Sequence, residues 1–175
     1  MCVRKPMTRP FDYPSFVIRP ASPADIPALR RLRAKLLAQE DSGHIDDATE
    51  ADWLRDGFGP SPHFLAFIAE QNGIAIGIAI YCVRRFPGWA GNSLFLHDLF
   101  VEPEFRCRGI GRALMARVAA EGVARGTAFI ELDVHEKNPA RAMYRKLGFE
   151  RVAHCATYVA PMQTLRALVK STEPV

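Results

Sequence analysis

The stretch that decides the fold is "SLFLHDLFVEPEFRCRGIGRALMARV", residues 93–118. Its first part, residues 93–101, is an apolar run long enough for a strand of a hydrophobic core. From residue 110 onward apolar side chains return at every fourth position, which is the spacing of one helix face. Gly109 and Gly111 lie in the loop that joins these two patterns. The stretch therefore predicts a buried strand, a glycine loop and a helix in succession.

The loop between this strand and this helix is expected to bind an anion. A helix N-terminus leaves backbone N–H groups unpaired and carries roughly half a positive charge. The two glycines let a ligand approach the backbone closely, and Arg106, Arg108 and Arg112 add positive charge. The loop lacks the Gly-Lys-Ser/Thr of a nucleotide P-loop and is one glycine short of the dinucleotide fingerprint. The residues alone therefore predict a phosphate site without naming its ligand.

The rest of the chain predicts a mixed α/β arrangement around that unit. Ser22-Pro23 is typical of a helix start, and Asn72-Gly73 between two apolar runs is typical of an antiparallel hairpin. The strands predicted outside the opening stretch are 15–19, 63–70, 74–83, 128–134 and one or two segments within 149–160. The helices predicted outside it are one that follows Pro23, a second at 48–56 and a third at 139–147. Gly122 and Gly126 are expected to mark the end of the helix that begins at residue 110.

The length of 175 residues and the hydrophobic content of 49% predict one globular domain at 15–175, preceded by a flexible tail at 1–14. No apolar run approaches the roughly 20 residues of a membrane span, so no membrane association is expected. The tail has no apolar core like that of a secretory signal. The four cysteines include no C-x-x-C pair, which argues against a zinc site and against a disulfide framework. A reducing cytoplasm is the expected location.

Charge is distributed unevenly along the chain. The net charge is +4, yet residues 40–56 contain seven acidic residues and only one arginine. This acidic segment would attract a cation, or it is a solvated surface of a helix and a loop. The arginines elsewhere lack the aromatic interleaving and the motifs of nucleic-acid-binding proteins. Nucleic-acid binding is therefore not expected.

Two motifs carry a resemblance to a known family. Arg106-x-x-Gly109-x-Gly111, between a strand and a helix, resembles the acetyl-CoA pyrophosphate signature of GCN5-related N-acetyltransferases (GNAT). "NPARAMYRKLGF", residues 138–149, resembles the Asn-to-Tyr helix of the same superfamily. Over residues 16–159 the chain is similar to the spermidine/spermine and thialysine acetyltransferases. The resemblance implies a GNAT-like α/β fold, with a mixed, mostly antiparallel central sheet flanked by helices.

The resemblance also implies which residues contact acetyl-CoA, with no metal ion involved. The strand before the loop would bind the pantetheine arm and the thioester carbonyl through its backbone, and the loop would bind the pyrophosphate. Asn138 would contact the arm, although its spacing to Tyr144 is one residue shorter than in the polyamine enzymes. Asn138-Pro139 is otherwise a helix entry. The implied cofactor contacts are Leu99, Phe100, Val101, Arg106, Cys107, Arg108, Gly109, Ile110, Gly111, Arg112 and Asn138.

Tyr144 matches the general acid of the family, which protonates the departing CoA thiolate. A phenol with a pKa near 10 can pass a proton to a thiolate whose acid has a pKa of about 8.5. Without the resemblance, a tyrosine in a short amphipathic helix is half-buried packing. Cys107 is not assigned as a nucleophile, because the family transfers acetyl directly and no Cys-His arrangement is evident.

His97 and Asp98 interrupt the apolar strand where the polyamine enzymes have a Glu-Asp pair. An alkylamine with a pKa near 10 must lose a proton before it attacks, and a histidine with a pKa near 6.5 can accept that proton. His97 is therefore a candidate base, or else a hydrogen-bonded strand histidine. The implied substrate contacts are Glu40, Trp89, His97 and Asp98.

The resemblance to the polyamine enzymes is incomplete around the substrate contacts. Gln39 stands where a tyrosine is expected, and Phe86 stands where an acid is expected. Both departures weaken polyamine recognition, and Asp41, Asp46 or Asp47 of the acidic segment could compensate.

The resemblance as a whole implies acetyl transfer from acetyl-CoA to a primary amine of a small cationic acceptor. That acceptor would be a polyamine, a diamine or a lysine-like side chain, and the enzyme would be a homodimer. The alternatives are acetylation of a protein or peptide amine, and a non-catalytic acyl-CoA-binding domain.

Overall fold

The computed structural model describes residues 15–40, 47–85, 91–153 and 164. The chain divides into two compact units, Met1–Pro139 and Ala140–Val175. The first unit contains the whole described sheet and three of the described helices. The prediction of one domain at 15–175 stays a prediction, and the predicted tail lies outside the described residues.

The sheet of the first unit has five strands in the order β1-β2-β3-β4-β5. The first four strands pair antiparallel with their neighbours, whereas β5 pairs parallel to β4. This confirms the prediction of a mixed, mostly antiparallel sheet. The strands are β1 Val17–Pro20, β2 Leu65–Gln71, β3 Ile74–Arg85, β4 Asn92–Val101 and β5 Phe129–Leu132.

The hairpin between β2 and β3 forms where Asn72-Gly73 predicts it. Asn72 has φ 52° and Gly73 has φ 77°, so both residues adopt the left-handed backbone conformation. Positive φ at both central residues is what a two-residue turn needs to match the twist of its strands. The asparagine and glycine therefore set the register next to the turn, and an irregularity between Ala69 and Glu70 shifts the register of the rest of the hairpin.

Four helices are described; the first begins close to the predicted Ser22-Pro23 start, and the second begins two residues after its predicted start at residue 48. The N–H and Oγ of Ser22 donate to Asp25 at 2.8 Å each, at the short 3-10 turn that leads into α1. Thr49 caps α2, because its Oγ1 accepts from the Asp52 N–H at 3.2 Å while the Asp52 carboxylate accepts from the Thr49 N–H at 3.0 Å. The helices are α1 Ile26–Glu40, α2 Glu50–Phe58, α3 Ile110–Ala124 and α4 Arg141–Lys146.

Helices cover both faces of the sheet in the first unit. On one face, α1 and α2 pack their apolar side chains, with Leu29 and Leu32 fully buried, against β2, β3 and β4. On the other face α3 buries Ile110, Leu114 and Val118. Each such side chain contributes roughly 1.5–3 kcal/mol through burial. The site described below lies on the α1 face and at the start of α3.

Three predicted boundaries are wrong in detail. Gly122 lies buried inside α3, where a Cβ would come 2.8 Å from Thr127 Oγ1, and the left-handed residue that follows the helix is Gly126 with φ 63°. α4 starts at Arg141 with Ala140 as its N-cap, so Asn138-Pro139 precedes the helix. Residues 149–153 contain no strand, and the rest of the predicted final strands lies outside the described residues.

No helix in the described ranges combines the length and the apolar character needed to span a membrane.

Candidate active site

A β-bulge explains why polar residues interrupt the central strand. In the pairing of β3 with β4, Tyr81 lies opposite Leu96 and Ile80 lies opposite Asp98, so His97 is an extra residue. Because side chains alternate between the two faces of a strand, the extra residue moves Asp98 to the face that carries Ile80. That face is the one covered by α1. The bulge therefore places a histidine and a carboxylate side by side under the helix.

Asp98 is paired with an arginine of α1. Nε of Arg33 lies 3.1 Å from Oδ2 of Asp98, and the two side chains are only 21% and 12% exposed. A carboxylate this well buried is stable as an ion when a cation is this close. Asp98 thus already has a counter-charge within the chain, whereas the sequence suggested it as a substrate contact.

A cleft of about 540 Å³ opens beside this pair. Its walls come from α1, α2 with its flanking loops, β3 and β4, and Trp53 and Phe64 form its apolar part. The rings of Trp53 and Phe64 pack edge to face with their centroids 5.2 Å apart. The charged or titratable side chains that line the cleft are Arg33, Asp47, Asp52, Asp56, His63, His97 and Asp98.

The acidic wall of the cleft consists of Asp47, Asp52 and Asp56. These three residues belong to the acidic segment of the sequence, so the described part of that segment contributes to a concave surface and is not only a solvated face. Hydrogen bonds from Thr49 and Arg55 lower the pKa of Asp52 to about 2. The hydrogen bond from Arg55 also lowers the pKa of Asp56. These two carboxylates are therefore ionised at neutral pH.

His97, the extra residue of the bulge, has a titratable side chain. Its imidazole packs edge to face against Phe95, with the ring centroids 4.7 Å apart, and the residue is otherwise exposed. Partial burial lowers the pKa of His97, and Arg84 and Arg33 lower it further, while Asp98 opposes them. The imidazole is therefore neutral at pH 7 and able to accept a proton.

The strand β4 continues beyond the end of its neighbour β5. The parallel pairing stops at Leu96 and Leu132, although β4 continues to Val101. The backbone at Leu99, Phe100 and Val101 is thus paired with β3 on one side and has passed the end of β5 on the other. The Val101 carbonyl accepts a hydrogen bond from Nε of Arg106 at 2.9 Å.

The glycine loop leads directly into α3. Cys107 with φ 63° and Gly109 with φ 83° are both left-handed, and Gly109 is the N-cap residue. The first hydrogen bond of the helix runs from the Ala113 N–H to the Gly109 carbonyl at 2.9 Å. The N–H groups that precede Ala113 in the helix have no acceptor within it. A Cβ at Gly109 would meet nothing within 4 Å, so the loop is open for an anion.

Two arginines of this loop fix its position by donating hydrogen bonds to oxygens of the chain. Nη2 of Arg106 donates to Gln39 Oε1 at 2.8 Å, and Nη2 of Arg108 donates to the Glu104 carbonyl at 2.8 Å. Arg112 is exposed on the first turn of α3. Cys107 is disulfide-bonded, which the scattered cysteines did not predict, whereas Cys82 is free.

Tyr144 lies in the second unit, on α4. It is half-buried, and its ring packs against Phe149 with the centroids 5.7 Å apart. The Phe149 N–H donates to the Tyr144 carbonyl at 3.0 Å, after Gly148 has ended the helix with φ 89°. In the first unit, the N–H of the half-buried Asn138 donates to the His135 carbonyl at 2.9 Å.

The structure brings together only some of the residues expected to contact the acceptor. His97 and Asp98 line the cleft, whereas Glu40 is exposed at the end of α1 and is not among the lining residues. Trp89 lies outside the described residues. Sequence reasoning missed Arg33, because nothing in the helical pattern of α1 distinguishes it from the other arginines there.

Comparisons with known proteins agree with this fold. The model of the acetyltransferase (GNAT) family matches residues 28–149. The human spermidine/spermine N(1)-acetyltransferase-like protein 1 is 36% identical over 115 residues, which are 62% of this chain and only 16% of the human protein. The bovine thialysine N-epsilon-acetyltransferase is 28% identical over 141 residues, 75% of this chain and 82% of that protein.

A solved structure shows the same fold at similar identity. It is the aminoglycoside N-acetyltransferase AAC(6')-Iy in complex with a bisubstrate analogue that contains CoA. Its TM-score is 0.70 at 29% identity, covering 84% of this chain and 99% of that one. The fold and these likenesses define an enzyme of the acetyl-CoA-dependent N-acetyltransferase class. The chain belongs to the acetyltransferase (GNAT) family.

Proposed function

We propose that this enzyme acetylates a primary amine of a small cationic acceptor that binds in the cleft beside His97. The observation that carries the proposal is the composition of that cleft, which combines an exposed imidazole with four carboxylates and one arginine. The carboxylates of the acidic wall, Asp47, Asp52 and Asp56, attract a cation, whereas Asp98 is paired with Arg33, and the neutral imidazole can take a proton from an amine. A polyamine, a diamine or a lysine-like side chain fits both requirements.

The names of the relatives support an amine acceptor without choosing one. The bovine relative is named for thialysine, and the structural neighbour is named for aminoglycosides. All these acceptors carry more than one amino group, so a cleft with several carboxylates suits each of them. An aminoglycoside belongs among the acceptors to be tested for this reason.

The place proposed for acetyl-CoA is the open end of β4 and the start of α3. The backbone at Leu99, Phe100 and Val101 would hold the arm and the thioester carbonyl, with Asn138 as a further contact. The loop from Arg106 to Arg112 would hold the pyrophosphate through the N–H groups at the start of α3. Arg106 and Arg108 would act mainly by fixing the loop, since both guanidinium groups bind oxygens of the chain.

The reaction needs two proton movements from the residues of this chain. Acetyl-CoA supplies the thioester, and the amine nitrogen forms a bond to its acetyl carbon while the carbon–sulfur bond breaks. His97, directly or through water, would accept the proton that the amine loses. Tyr144 would donate a proton to the sulfur. The new amide nitrogen would lose its second proton, through water, to the Tyr144 phenolate, and His97 would release its proton to solvent, so amide and free CoA leave with both side chains restored.

The direct test is thiol release from acetyl-CoA with a panel of acceptors. The panel contains spermidine, putrescine, thialysine, lysine, an aminoglycoside, a neutral amine and a basic peptide. Release with cationic small amines and little release with the neutral amine is expected. Equal turnover of neutral and cationic amines would contradict the proposal, and preference for the peptide would favour the protein-acetylating alternative.

Two variants test the proposed proton transfers, and a third is their control. Tyr144→Phe and His97→Gln should each lower kcat by about 100-fold, the usual scale of general acid and base catalysis. Tyr81→Phe is the matched control, because Tyr81 is a buried tyrosine of β3 stacked on Phe67. No turnover of any amine by the wild type despite CoA binding would support the non-catalytic alternative, whereas unchanged kcat of Tyr144→Phe in an active enzyme would exclude Tyr144 as the acid. Homodimerisation and a cytoplasmic location stay predictions.

A further inference from the structure

We propose that Arg33 and Arg84 are positioning residues that keep His97 in its neutral, proton-accepting form and thereby set the pH range of acetyl transfer. The inference rests on the proposed function, because it takes His97 as the group that accepts the proton of the amine. It assigns a purpose to two ion pairs that flank the bulge and that no motif of the sequence indicated.

Arg33 approaches the bulge from α1. Its Nε lies 3.1 Å from Oδ2 of Asp98, the residue next to His97, and its side chain is 21% exposed. Both residues line the same cleft as His97. A guanidinium that is always charged and largely buried exerts its effect through a medium that screens it weakly.

Arg84 lies on β3 and reaches His97 by way of Phe95. Its guanidinium carbon lies 3.7 Å from the centroid of Phe95, whose ring packs against His97. Nη1 of Arg84 lies 3.3 Å from Oε2 of Glu131, and the buried hydroxyl of Ser93 donates to Oε1 of the same carboxylate at 2.8 Å. The Phe95 ring therefore contacts both the guanidinium of Arg84 and the imidazole of His97.

The two arginines act against several carboxylates. Burial and the two guanidinium groups lower the pKa of His97, while Asp98 raises it. The charged and titratable groups that line the cleft of His97 or act on its charge are Arg33, Asp47, Asp52, Asp56, His63, Arg84 and Asp98, and Glu131 binds Arg84. Removal of either arginine also leaves its partner carboxylate without that counter-charge. Both consequences favour the imidazolium form, so each arginine adds to the effect of burial on the pKa of His97.

The same charges act on the amine that is to be acetylated. A protonated amine close to His97 would lie near two guanidinium groups, which disfavour its charge, and its neutral form is the nucleophile. The remaining cationic groups of the acceptor would lie along Asp47, Asp52 and Asp56, on α2 and the loop before it. The cleft thus separates the place of reaction from the place of cation binding.

The test measures His97 directly and the reaction separately. The imidazole of His97 is titrated by NMR in wild type, Arg33→Gln, Arg84→Gln and the double variant, without acceptor. The pH dependence of kcat/KM with spermidine is measured for the same proteins. Arg33→Lys and Arg84→Lys retain the charge, and Arg125→Gln, which removes an arginine paired with Glu121 on α3, controls for net charge.

Each Arg→Gln change should move the titration midpoint of His97 to higher pH. The acid side of the kcat/KM profile should move with it, so that kcat/KM at pH 6 relative to pH 8 falls by about 3- to 10-fold. The double variant should show the larger change, and the lysine variants should stay close to wild type. The double variant Arg33→Gln/Asp98→Asn removes both charges of one pair. It shows whether an effect of Arg33→Gln arises from a folding defect around an unpaired Asp98.

Three outcomes would overturn the inference. They are a His97 midpoint that stays in place in both Arg→Gln variants, a midpoint that moves to lower pH, and a midpoint that moves while the acid side of the profile does not. A wild type that turns over no amine on the panel would instead overturn the proposed function, and the NMR titration would still report on the two arginines.

Discussion

The Nζ atom of Lys35 in α1 lies 2.7 Å from Oε1 of Glu102, the residue that directly follows β4. Arg31, one turn earlier in the same helix, lies 2.6 Å from the same oxygen, and the glutamate side chain is only 8% exposed. The Glu102 N–H in turn donates to the Ile76 carbonyl at 2.9 Å. One buried carboxylate thus ties the helix that carries Arg33 to the end of the strand proposed to hold acetyl-CoA.

The first prediction concerns the contribution of Glu102 to stability. Glu102→Gln retains the shape of the side chain and removes its charge, so three charge-assisted hydrogen bonds from Arg31 and Lys35 are weakened at a buried site. The free energy of unfolding should fall by roughly 1.5–3 kcal/mol, measured by urea denaturation. The control is Glu121→Gln, whose carboxylate is 31% exposed and pairs with Arg125, and for which a change below about 1 kcal/mol is expected. Equal effects of the two changes would contradict the prediction.

The second prediction concerns the pH dependence of the same effect. Burial alone would raise the pKa of Glu102, but the hydrogen bonds from Lys35 and Arg31 outweigh it and lower the pKa. A carboxylate whose folded-state pKa is lowered stabilises the protein above its unfolded pKa of about 4.3, and this stabilisation is lost as the pH falls through the folded value. The difference in unfolding free energy between wild type and Glu102→Gln should therefore shrink from pH 6 to pH 3. A constant difference over that range would show that ionisation of Glu102 is not the cause.

The sequence predicted those features whose cause is local. The hairpin follows from two adjacent residues, Asn72 and Gly73, and the glycine loop follows from the change of period at residue 110. The bulge at His97 depends on how β4 pairs with β3, so the sequence showed only two polar residues in an apolar run. The ion pair of Arg33 with Asp98 joins residues 65 positions apart, and no local pattern encodes such a contact.

The third prediction tests whether the backbone of β4 must keep its position for acetyl-CoA to bind. A Cβ at Gly77 would come 2.9 Å from the Phe100 carbonyl oxygen and 3.4 Å from Leu114 Cδ1. Gly77→Ala should therefore displace β4, with a loss of roughly 1–3 kcal/mol in unfolding free energy. The KM for acetyl-CoA should rise, because the displaced carbonyl belongs to the segment proposed to hold the cofactor. Steady-state kinetics with a saturating acceptor measure this.

Gly73→Ala provides the matched control for that experiment. A Cβ at Gly73 would meet nothing within 4 Å, but its φ of 77° strains any other residue. The substitution should cost about 1 kcal/mol through backbone strain and should leave the KM for acetyl-CoA unchanged. If Gly73→Ala raised this KM as much as Gly77→Ala, loss of stability and not displacement of β4 would be the explanation.

The fourth prediction concerns the acidic wall of the cleft. Asp56→Asn removes one of its charges, while the backbone carbonyl of Asp56 can still accept the hydrogen bonds of the His63 and Phe64 N–H groups. The KM for spermidine should rise by about 3- to 10-fold with little change in kcat, because this charge, which also binds Arg55, is proposed to bind the acceptor and to take no part in the proton transfer. The effect should diminish at 0.5 M salt, where charges at this exposed surface are screened within a few ångström.

The control for this charge lies on the same helix. Glu50→Gln removes an acidic charge of α2 that is 66% exposed and does not line the cleft, so the KM for spermidine should stay near the wild-type value. Comparison of the two variants separates a contact inside the cleft from the net charge of α2. If both variants raise the KM equally, long-range attraction of the cation explains the result. If neither does, the cation of the acceptor binds elsewhere, and Asp52 and Asp47 would lose their proposed role together with Asp56.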